Sequence, residues 1–138
     1  MEIIGKDGNY LTNNTTVHKC IYHIIWTTKY RRPVLTNEMQ EYLKNLLLKY
    51  SNENEKFNII ELEIMPDHVH CLIQIDPDFP ISSTLNILKG KSSHDMIEHF
   101  PELKKRLPTL WTRSKFIASV GSVSLKTVKE YIENQKNK

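Results

Sequence analysis

Two histidines separated by one residue, His68 and His70, are the side chains of this sequence best suited to chemistry. Side chains alternate between the two faces of a strand, so both imidazoles would lie on one face, about 7 Å apart along the chain, with Val69 in the core. Two neutral ring nitrogens held in this way can bind one divalent metal ion, and Asp67 could assist them or only shape the turn. Two histidines on an exposed strand face give the same triplet, so the spacing leaves both interpretations open.

A second group lies near the C-terminus, where Tyr131 and Gln135 are four residues apart. On a helix this spacing places both on one face, whereas Ile132 belongs to the apolar stripe. A phenol, with a free pKa near ~10, becomes a nucleophile towards phosphorus once its proton is removed. A metal ion nearby would polarise the phosphate, and the amide oxygen of Gln135 could be a third ligand. An ordinary tyrosine on the surface of an amphipathic helix is the alternative interpretation.

The elements that would position these groups follow from hydropathy periodicity and turn residues. β-Branched and aromatic runs predict strands, apolar residues at helical spacing predict helices, and Pro66-Asp67 predicts a hairpin turn. The four predicted strands cover residues 17–27, 57–65, 68–75 and 110–120. A first helix, capped by Thr36 or Asn37, runs to Tyr50, and a second covers about 81–99 with an interruption near Gly90. A last helix runs from Ser122 or Ser124 to about Lys136. In the second strand, Ile60, Leu62 and Ile64 are predicted on one face, and Glu61 and Glu63 on the other.

This order, β-α-β-β-α-β-α, predicts an α+β fold of the ferredoxin-like split βαβ type, an antiparallel sheet backed by helices. The appended C-terminal helix would carry Tyr131. Residues 1–16 are polar and predict an N-terminal arm, and residues 17–138 predict a single domain. Because this fold hosts many functions, it names none of them.

Charge is distributed unevenly over the 138 residues, whose net charge is +3. Residues 1–36 carry five basic and two acidic groups, residues 37–100 carry five and eleven, and residues 101–138 carry nine and three. A fold that joins the two ends would form one basic face, which is typical of a nucleic-acid partner. A solvated surface with uneven charge is the alternative.

Composition excludes several classes of protein. A hydrophobic share of 39% with 25% charged residues is typical of a globular chain rather than a disordered one. No apolar run approaches the ~18 residues of a membrane helix, and the N-terminus lacks the pattern of a signal peptide. Two cysteines, Cys20 and Cys71, are too few for a disulfide framework. We therefore expect a cytoplasmic protein that has no membrane partner.

Several segments together resemble a known family, the single-tyrosine HUH transposases of small bacterial insertion sequences, with the REP-associated tyrosine transposases as relatives. HUH denotes two histidines around a hydrophobic residue. The similar segments are MPDHVHCLI (65–73), YHIIWTTKYRRPVL (22–35), GKSSHDM (90–96), LWTRSKFIASVG (110–121) and YIENQ (131–135). The likeness covers roughly residues 17–136 in the family's order and spacing.

The resemblance implies a mechanism. His68, His70 and Gln135 would hold Mg²⁺ or Mn²⁺, and Tyr131 would attack a phosphodiester of single-stranded DNA, leaving a 5′-phosphotyrosine and a free 3′-hydroxyl. A 3′-hydroxyl would then attack the phosphotyrosine and rejoin strands, which excises or inserts the element. The implied partners are single-stranded DNA with subterminal hairpins and a second copy of the chain, whose tyrosine helix could complete the site in trans.

Cationic side chains predicted to reach DNA phosphates lie in the turn after the first strand, near Gly90 and along the last strand. We expect Trp111 and Phe116 in the core rather than stacked on bases. The predicted DNA-binding residues are Lys29, Arg31, Arg32, Lys89, Lys91, Arg113 and Lys115, with Lys104, Lys105 and Arg106 as a further basic cluster.

Other functions stay open at this point. A non-catalytic module that binds single-stranded nucleic acid would explain the basic ends, but not the presence of both HVH and YIENQ. A domesticated relative acting on chromosomal repeat hairpins, a nuclease that does not rejoin strands, and a metal-dependent hydrolase that activates water would each use much of the same chemistry.

Overall fold

Runs of β-branched and aromatic residues form four strands, and segments with apolar residues at helical spacing form the main helices between them. The structure is a computed structural model, and it describes residues 20–120. Its elements are β1 (Ile21–Thr28), α1 (Asn37–Glu53), β2 (Phe57–Met65), β3 (His68–Ile75), α2 (Ile81–Leu85), α3 (Ser92–His99), α4 (Glu102–Arg106) and β4 (Trp111–Ser119). A 3-10 turn covers Lys29–Arg31, and a π-helical segment, Asn86–Lys91, joins α2 to α3.

The four strands form one antiparallel sheet in the order β2-β3-β1-β4. β3 lies between β1 and β2, which α1 connects, and this arrangement is the split βαβ of the ferredoxin-like fold. The predicted α+β class and the β2–β3 hairpin are thereby confirmed. The predicted C-terminal helix and the first residues of the predicted strand over 17–27 lie outside the described residues.

The core lies between the sheet and the helices. Alternate residues of the central strands, such as Trp26 and Val69, are buried in one cluster with Leu43 and Leu47 of α1. The side chain of Thr36 caps α1 by accepting a hydrogen bond from the Met39 amide (3.2 Å), as predicted. Because strand side chains alternate, the opposite face of the sheet carries the two predicted metal ligands. We call it the histidine face.

β2 departs from the simple alternation that the sequence predicts. The register with β3 shifts between Ile59 and Glu61, so Ile60 is an additional residue. Ile59 therefore joins Leu62 in the core cluster, and the predicted grouping of Ile60 with Leu62 is wrong. Glu61 lies opposite Leu72 on the histidine face and is fully buried.

The predicted helix over 81–99 is confirmed, with its interruption near Gly90 present as the π-helical segment. At the end of this segment the Ser92 hydroxyl donates to the Leu88 carbonyl and accepts from the Trp111 indole N–H (3.0 Å). Trp111 is buried as predicted, but Phe116 is 55% exposed. Phe116 lies opposite Ile25 on the histidine face, away from the helices, so its predicted place in the core is wrong.

Among residues 20–120, no helix combines the length and apolar character that crossing a bilayer requires.

Candidate functional site

His68 and His70 lie next to each other on β3, with ring centroids 4.8 Å apart. Both are half-buried. Val69 between them is buried in the core, as the alternation predicts. Across the sheet, Thr27 lies opposite His68, and Glu63 lies opposite His70. The rigid centre of the sheet therefore holds two imidazoles on one face.

Asp67, in the hairpin turn, fixes the orientation of one of these rings. Its Oδ1 lies 2.6 Å from Nδ1 of His68, and this hydrogen bond holds the pKa of the Asp67 carboxyl below its ordinary value. An ionised carboxylate only accepts hydrogen bonds, so it favours the tautomer with hydrogen on Nδ1 and leaves Nε2 free to coordinate. The Arg31 guanidinium lies 3.5 Å from the other Asp67 oxygen.

His23, on the neighbouring strand β1, packs edge-on against His70 with ring centroids 5.5 Å apart. It is 1% exposed, and burial lowers the pKa of its imidazole. Neither of its ring nitrogens has a hydrogen-bond partner within the part of the chain that the structure describes. His23 is thus a buried, neutral side chain that packs against one side of the histidine pair.

The basic turn, residues 29–32, follows β1 directly and is tied to the hairpin that carries the histidines. The Thr28 amide donates to the Asp67 carbonyl (2.9 Å), and the Thr28 hydroxyl donates to the Arg32 carbonyl (2.7 Å). Tyr30 and Arg31 have positive φ angles of 59° and 52°, and residues other than glycine rarely adopt such backbone angles. Strain of this kind accumulates at functional sites.

Two predicted basic clusters meet at this turn. Nη1 of Arg32 donates to the Arg106 carbonyl at 3.3 Å, so the C-terminal turn of α4 lies beside the basic turn. Lys104, Lys105 and Arg106 are all exposed in that last turn. The fold therefore brings cations from both ends of the described chain to one place.

The remaining predicted DNA-binding cations have different environments. The Lys89 ammonium donates to the backbone carbonyls of Thr112 (2.8 Å) and Arg113 (3.3 Å), and burial lowers its pKa. Lys91 lies over the Tyr50 ring, 5.0 Å from its centroid. Arg113 and Lys115 are exposed on β4. Lys89 thus joins the π-helical segment to β4, while the other three cations lie at the surface.

The donor set on the histidine face suits a divalent metal ion, because two imidazoles converge and a carboxylate fixes one tautomer. A second group of potential ligands lies on α3, where atoms of His94, Asp95 and Glu98 come within 4.8 Å of one another. Helix α3 packs on α1, across the sheet from the histidine pair. This surface cluster is therefore separate from the predicted site.

Tyr131 and Gln135, the predicted nucleophile and third ligand, lie outside the described residues. The predicted site residues do not include Tyr30, which is 65% exposed within the basic turn. A signal was present in the sequence, because Tyr30 stands between two cations, Lys29 and Arg31, in a turn that ends at Pro33.

Comparison with known proteins identifies the family. The sequence profile described as "Transposase IS200 like" matches residues 16–135. The chain belongs to the IS200-like transposase family. The ISDra2 transposase TnpA of Deinococcus radiodurans is 36% identical over 124 residues, which are 88% of either chain. The transposase for insertion sequence element IS200 of Salmonella typhimurium is 36% identical over 118 residues, 84% of this chain and 76% of that one.

Solved structures agree with this family and with the fold. A Deinococcus radiodurans crystal structure at 1.90 Å resolution has a TM-score of 0.71 and 37% identity, and the match covers 90% of this IS200-like chain and 96% of that one. A REP-associated tyrosine transposase bound to a REP hairpin has a TM-score of 0.60 at 16% identity, with 88% and 67% covered. At that identity the second likeness shows the fold alone. The predicted family is confirmed, and with it DNA transposase activity as the general class.

Proposed function

We propose that this IS200-like transposase cleaves and rejoins single-stranded DNA with Tyr131 as its nucleophile, during excision and insertion of an insertion sequence. The observation that carries the proposal is the paired orientation of His68 and His70, with Asp67 bound to Nδ1 of His68. Tyr131 and Gln135 enter from the sequence, where their spacing matches one helix face.

The metal site would consist of His68, His70 and the amide oxygen of Gln135, with Mg²⁺ or Mn²⁺ as the ion. When bound, the ion would stabilise negative charge on the phosphate oxygens during strand cleavage. The exposed cations of the basic turn would hold the strand, because guanidinium and ammonium groups reach phosphates without reading sequence.

In the cleavage step, the Tyr131 oxygen forms a bond to phosphorus while the bond between phosphorus and the 3′ oxygen breaks. The phenolic proton is lost to solvent, and the released 3′ oxygen takes up a proton, so charge and atoms balance. The new phosphotyrosine conserves the energy of the phosphodiester, and a 3′-hydroxyl that attacks it restores a continuous strand.

The proposed DNA partner carries subterminal hairpins, which would lie across the basic turn and the C-terminal turn of α4. Support for this position is the contact between Arg32 and the Arg106 carbonyl, which joins two clusters of cations. A single strand bound in this way would lose affinity as salt rises, with a log–log slope of about −0.7 per neutralised phosphate.

We also propose a homodimer in which the tyrosine helix of one copy can complete the histidine site of the other. Mixing His68→Ala with Tyr131→Phe protein tests this directly. Restored cleavage in the mixture supports completion in trans, whereas two variants that each fail alone and together contradict it.

The experiment that tests the function incubates the protein with labelled single-stranded DNA from the ends flanking its gene, with Mn²⁺ or EDTA, on a denaturing gel. We expect a metal-dependent covalent adduct that Tyr131→Phe and His68→Ala abolish. Tyr42→Phe removes a phenol from α1, on the helix-covered side of the sheet, and should leave the adduct unchanged.

Other outcomes assign the other functions. Retarded DNA without an adduct under any metal supports a non-catalytic binding module, and cleavage without an adduct supports a hydrolase that activates water. Cleavage without rejoining supports a nuclease. Terminal hairpins in the flanking DNA would distinguish a mobile element from a domesticated relative that acts on chromosomal repeats.

A further inference from the structure

We propose that Tyr30 and the cavity beside it form a subsite for one unpaired nucleotide of single-stranded DNA, adjacent to the histidine pair. This inference rests on the proposed function, since the nucleotide belongs to the strand that Tyr131 would cleave. It adds a residue that binds a base to a turn whose cations are expected to bind phosphates.

The cavity lies at the edge of the histidine face, where β1 ends and β4 begins. It has a volume of about 330 Å³, in the range of small-molecule sites. Thr27 lines it and lies directly opposite His68 on β3, so the cavity is next to the histidine pair. Its lining residues are Thr27, Thr28, Lys29, Tyr30, Arg31, Thr112 and Ser114.

The backbone of the basic turn holds the Tyr30 ring out of the core. Tyr30 is 65% exposed, and its φ of 59° is costly for a residue with a large side chain. Neighbouring bonds impose this conformation, because the Lys29 amide donates to the Leu110 carbonyl (2.9 Å) and the Thr28 hydroxyl donates to the Arg32 carbonyl (2.7 Å).

Glycine would adopt the same backbone conformation without strain. An exposed ring contributes little to the hydrophobic core, so burial of apolar surface gives no reason for tyrosine here. Within the described residues the ring contacts the Lys29 and Arg32 cations, and it also lines the cavity, where a ligand could contact it.

The chemistry of this space fits a nucleotide. The Lys29 ammonium and the Arg32 guanidinium lie 5.3 Å and 5.4 Å from the centroid of the Tyr30 ring. A base that stacks on the ring would take the place of one cation, which stays close enough to pair with the phosphate of that nucleotide. Aromatic stacking with flanking positive charge is the usual means of holding unpaired bases.

The site is joined to the histidines by a second route. Arg31 lines the cavity and lies 3.5 Å from Asp67, whose other oxygen contacts His68. Only the Arg31 side chain would thus separate a nucleotide at Tyr30 from the Asp67 carboxylate, which orients the proposed metal ligand His68. This proximity places the subsite next to the scissile phosphate.

The test uses Tyr131→Phe protein, so that the strand stays intact, and oligonucleotides from the flanking DNA with one 2-aminopurine at successive positions. We expect fluorescence at one position, within two nucleotides of the cleavage point mapped with wild-type protein, to fall at least about twofold through stacking. Adding Tyr30→Leu should abolish this quench and weaken binding at least about fivefold. Tyr30→Phe should retain both.

Tyr30→Leu keeps an apolar side chain but removes the aromatic face, and because position 30 is exposed the fold should survive. Equal thermal midpoints for the three proteins verify this. The subsite is overturned if Tyr30→Leu binds and quenches like its parent at every position, or weakens binding without a quench at any position. Cleavage that depends on Tyr131 would then persist, so the proposed function stands or fails separately.

Discussion

At the scale of single residues, the contact between Asp67 and His68 determines which ring nitrogen of His68 is left free to bind a metal ion. Alternation along β3 places two imidazoles on one face, but it does not choose which ring nitrogen points outward. The Asp67 oxygen 2.6 Å from Nδ1 of His68 favours the tautomer with hydrogen on Nδ1, and the Arg31 guanidinium contacts the second Asp67 oxygen. Bonds of this type orient metal ligands and increase their basicity.

Asp67→Ala should therefore weaken Mn²⁺ binding about 10- to 100-fold, because the His68 ring loses its fixed tautomer. Asp67→Asn keeps an acceptor oxygen and should lose less. Isothermal titration calorimetry measures both. Asp78→Ala removes the same charge from an exposed turn and serves as the control. Equal affinities for Asp67→Ala and the wild type would show that Asp67 only shapes the hairpin.

Where a metal ion would bind is a separate prediction, because two groups of potential ligands are present within the described residues. His70→Ala should weaken Mn²⁺ binding by at least about tenfold, since it removes one of two imidazoles on the histidine face. His94→Ala, in the cluster on α3, should leave the affinity unchanged. The reverse result in the same titration would place the ion on α3.

Residue-scale prediction succeeded where strand periodicity decides and failed where the backbone departs from it. The spacing of His68 and His70 suffices to place both rings on one face. The exposure of Tyr30 depends on two consecutive positive φ angles, and only tertiary hydrogen bonds to the turn impose these. The third ligand and the nucleophile stay predictions from the sequence.

At the scale of elements, the π-helical segment attaches the second helical region to the edge of the sheet. Its Lys89 donates to two carbonyls of β4, and Ser92 accepts from the Trp111 indole. π-Helical turns are rare and often occur at functional sites. Here the π-helical turn places the Lys89 ammonium at the start of β4, next to the cavity beside Tyr30.

Lys89→Met should lower the free energy of unfolding by about 1 to 2 kcal/mol, because the two β4 carbonyls lose a charged donor. Lys91→Met, two residues further on, removes an exposed cation and should change stability by less than about 0.5 kcal/mol. Urea unfolding distinguishes the two. A larger loss for Lys91→Met would contradict the structural role of Lys89.

Helices α1 and α3 are joined by a hydrogen bond from the Tyr50 hydroxyl to the Asp95 carboxylate, at 2.5 Å. This bond is the main reason that the pKa of Asp95 lies below its ordinary value. A lowered pKa means that the folded state prefers the ionised carboxylate. The resulting stability is present above about pH 4 and is lost as pH falls through the folded pKa.

Tyr50→Phe should consequently reduce the free energy of unfolding by about 1 kcal/mol at pH 7. The difference from wild type should be smaller at pH 3, because below about pH 4 the unfolded chain takes up a proton at Asp95 and the advantage of the lowered pKa in the folded state declines. Urea unfolding at the two pH values measures it, and Tyr42→Phe, which removes a neighbouring phenol, is the control. A gap of equal size at both pH values would exclude the carboxylate as its source.

Within residues 20–120, prediction was accurate for the order of the four strands and the two main helical regions, because periodicity and turn residues are local, but it missed the short helix α4. The bounds of β2 and β3 match the prediction, as does the Thr36 cap. The extra residue at Ile60 follows from pairing with β3, and the exposure of Phe116 follows from which face of β4 meets the helices. Both are set by distant strands, so no local pattern reveals them.

At the scale of the whole molecule, the sheet has the helices and the core on one face and the candidate site on the other. Helices α1 and α3 and the apolar core lie on one side, and the histidine pair and His23 lie on the other. Cations from the basic turn and from α4 meet at the end of the same sheet. Charge at both ends of the chain left open whether the fold forms one basic face, and the contact between Arg32 and the Arg106 carbonyl brings two of the basic clusters together.

The measurement that tests the central claim most directly is identification of the residue joined to DNA. Wild-type protein is incubated with single-stranded flanking DNA and Mn²⁺, the covalent product is digested with protease and nuclease, and the modified peptide is sequenced by mass spectrometry. We predict one modified residue, Tyr131, bearing a 5′-phosphate-linked nucleotide. Modification of another residue, or cleaved DNA without any modified peptide, would contradict the proposed mechanism.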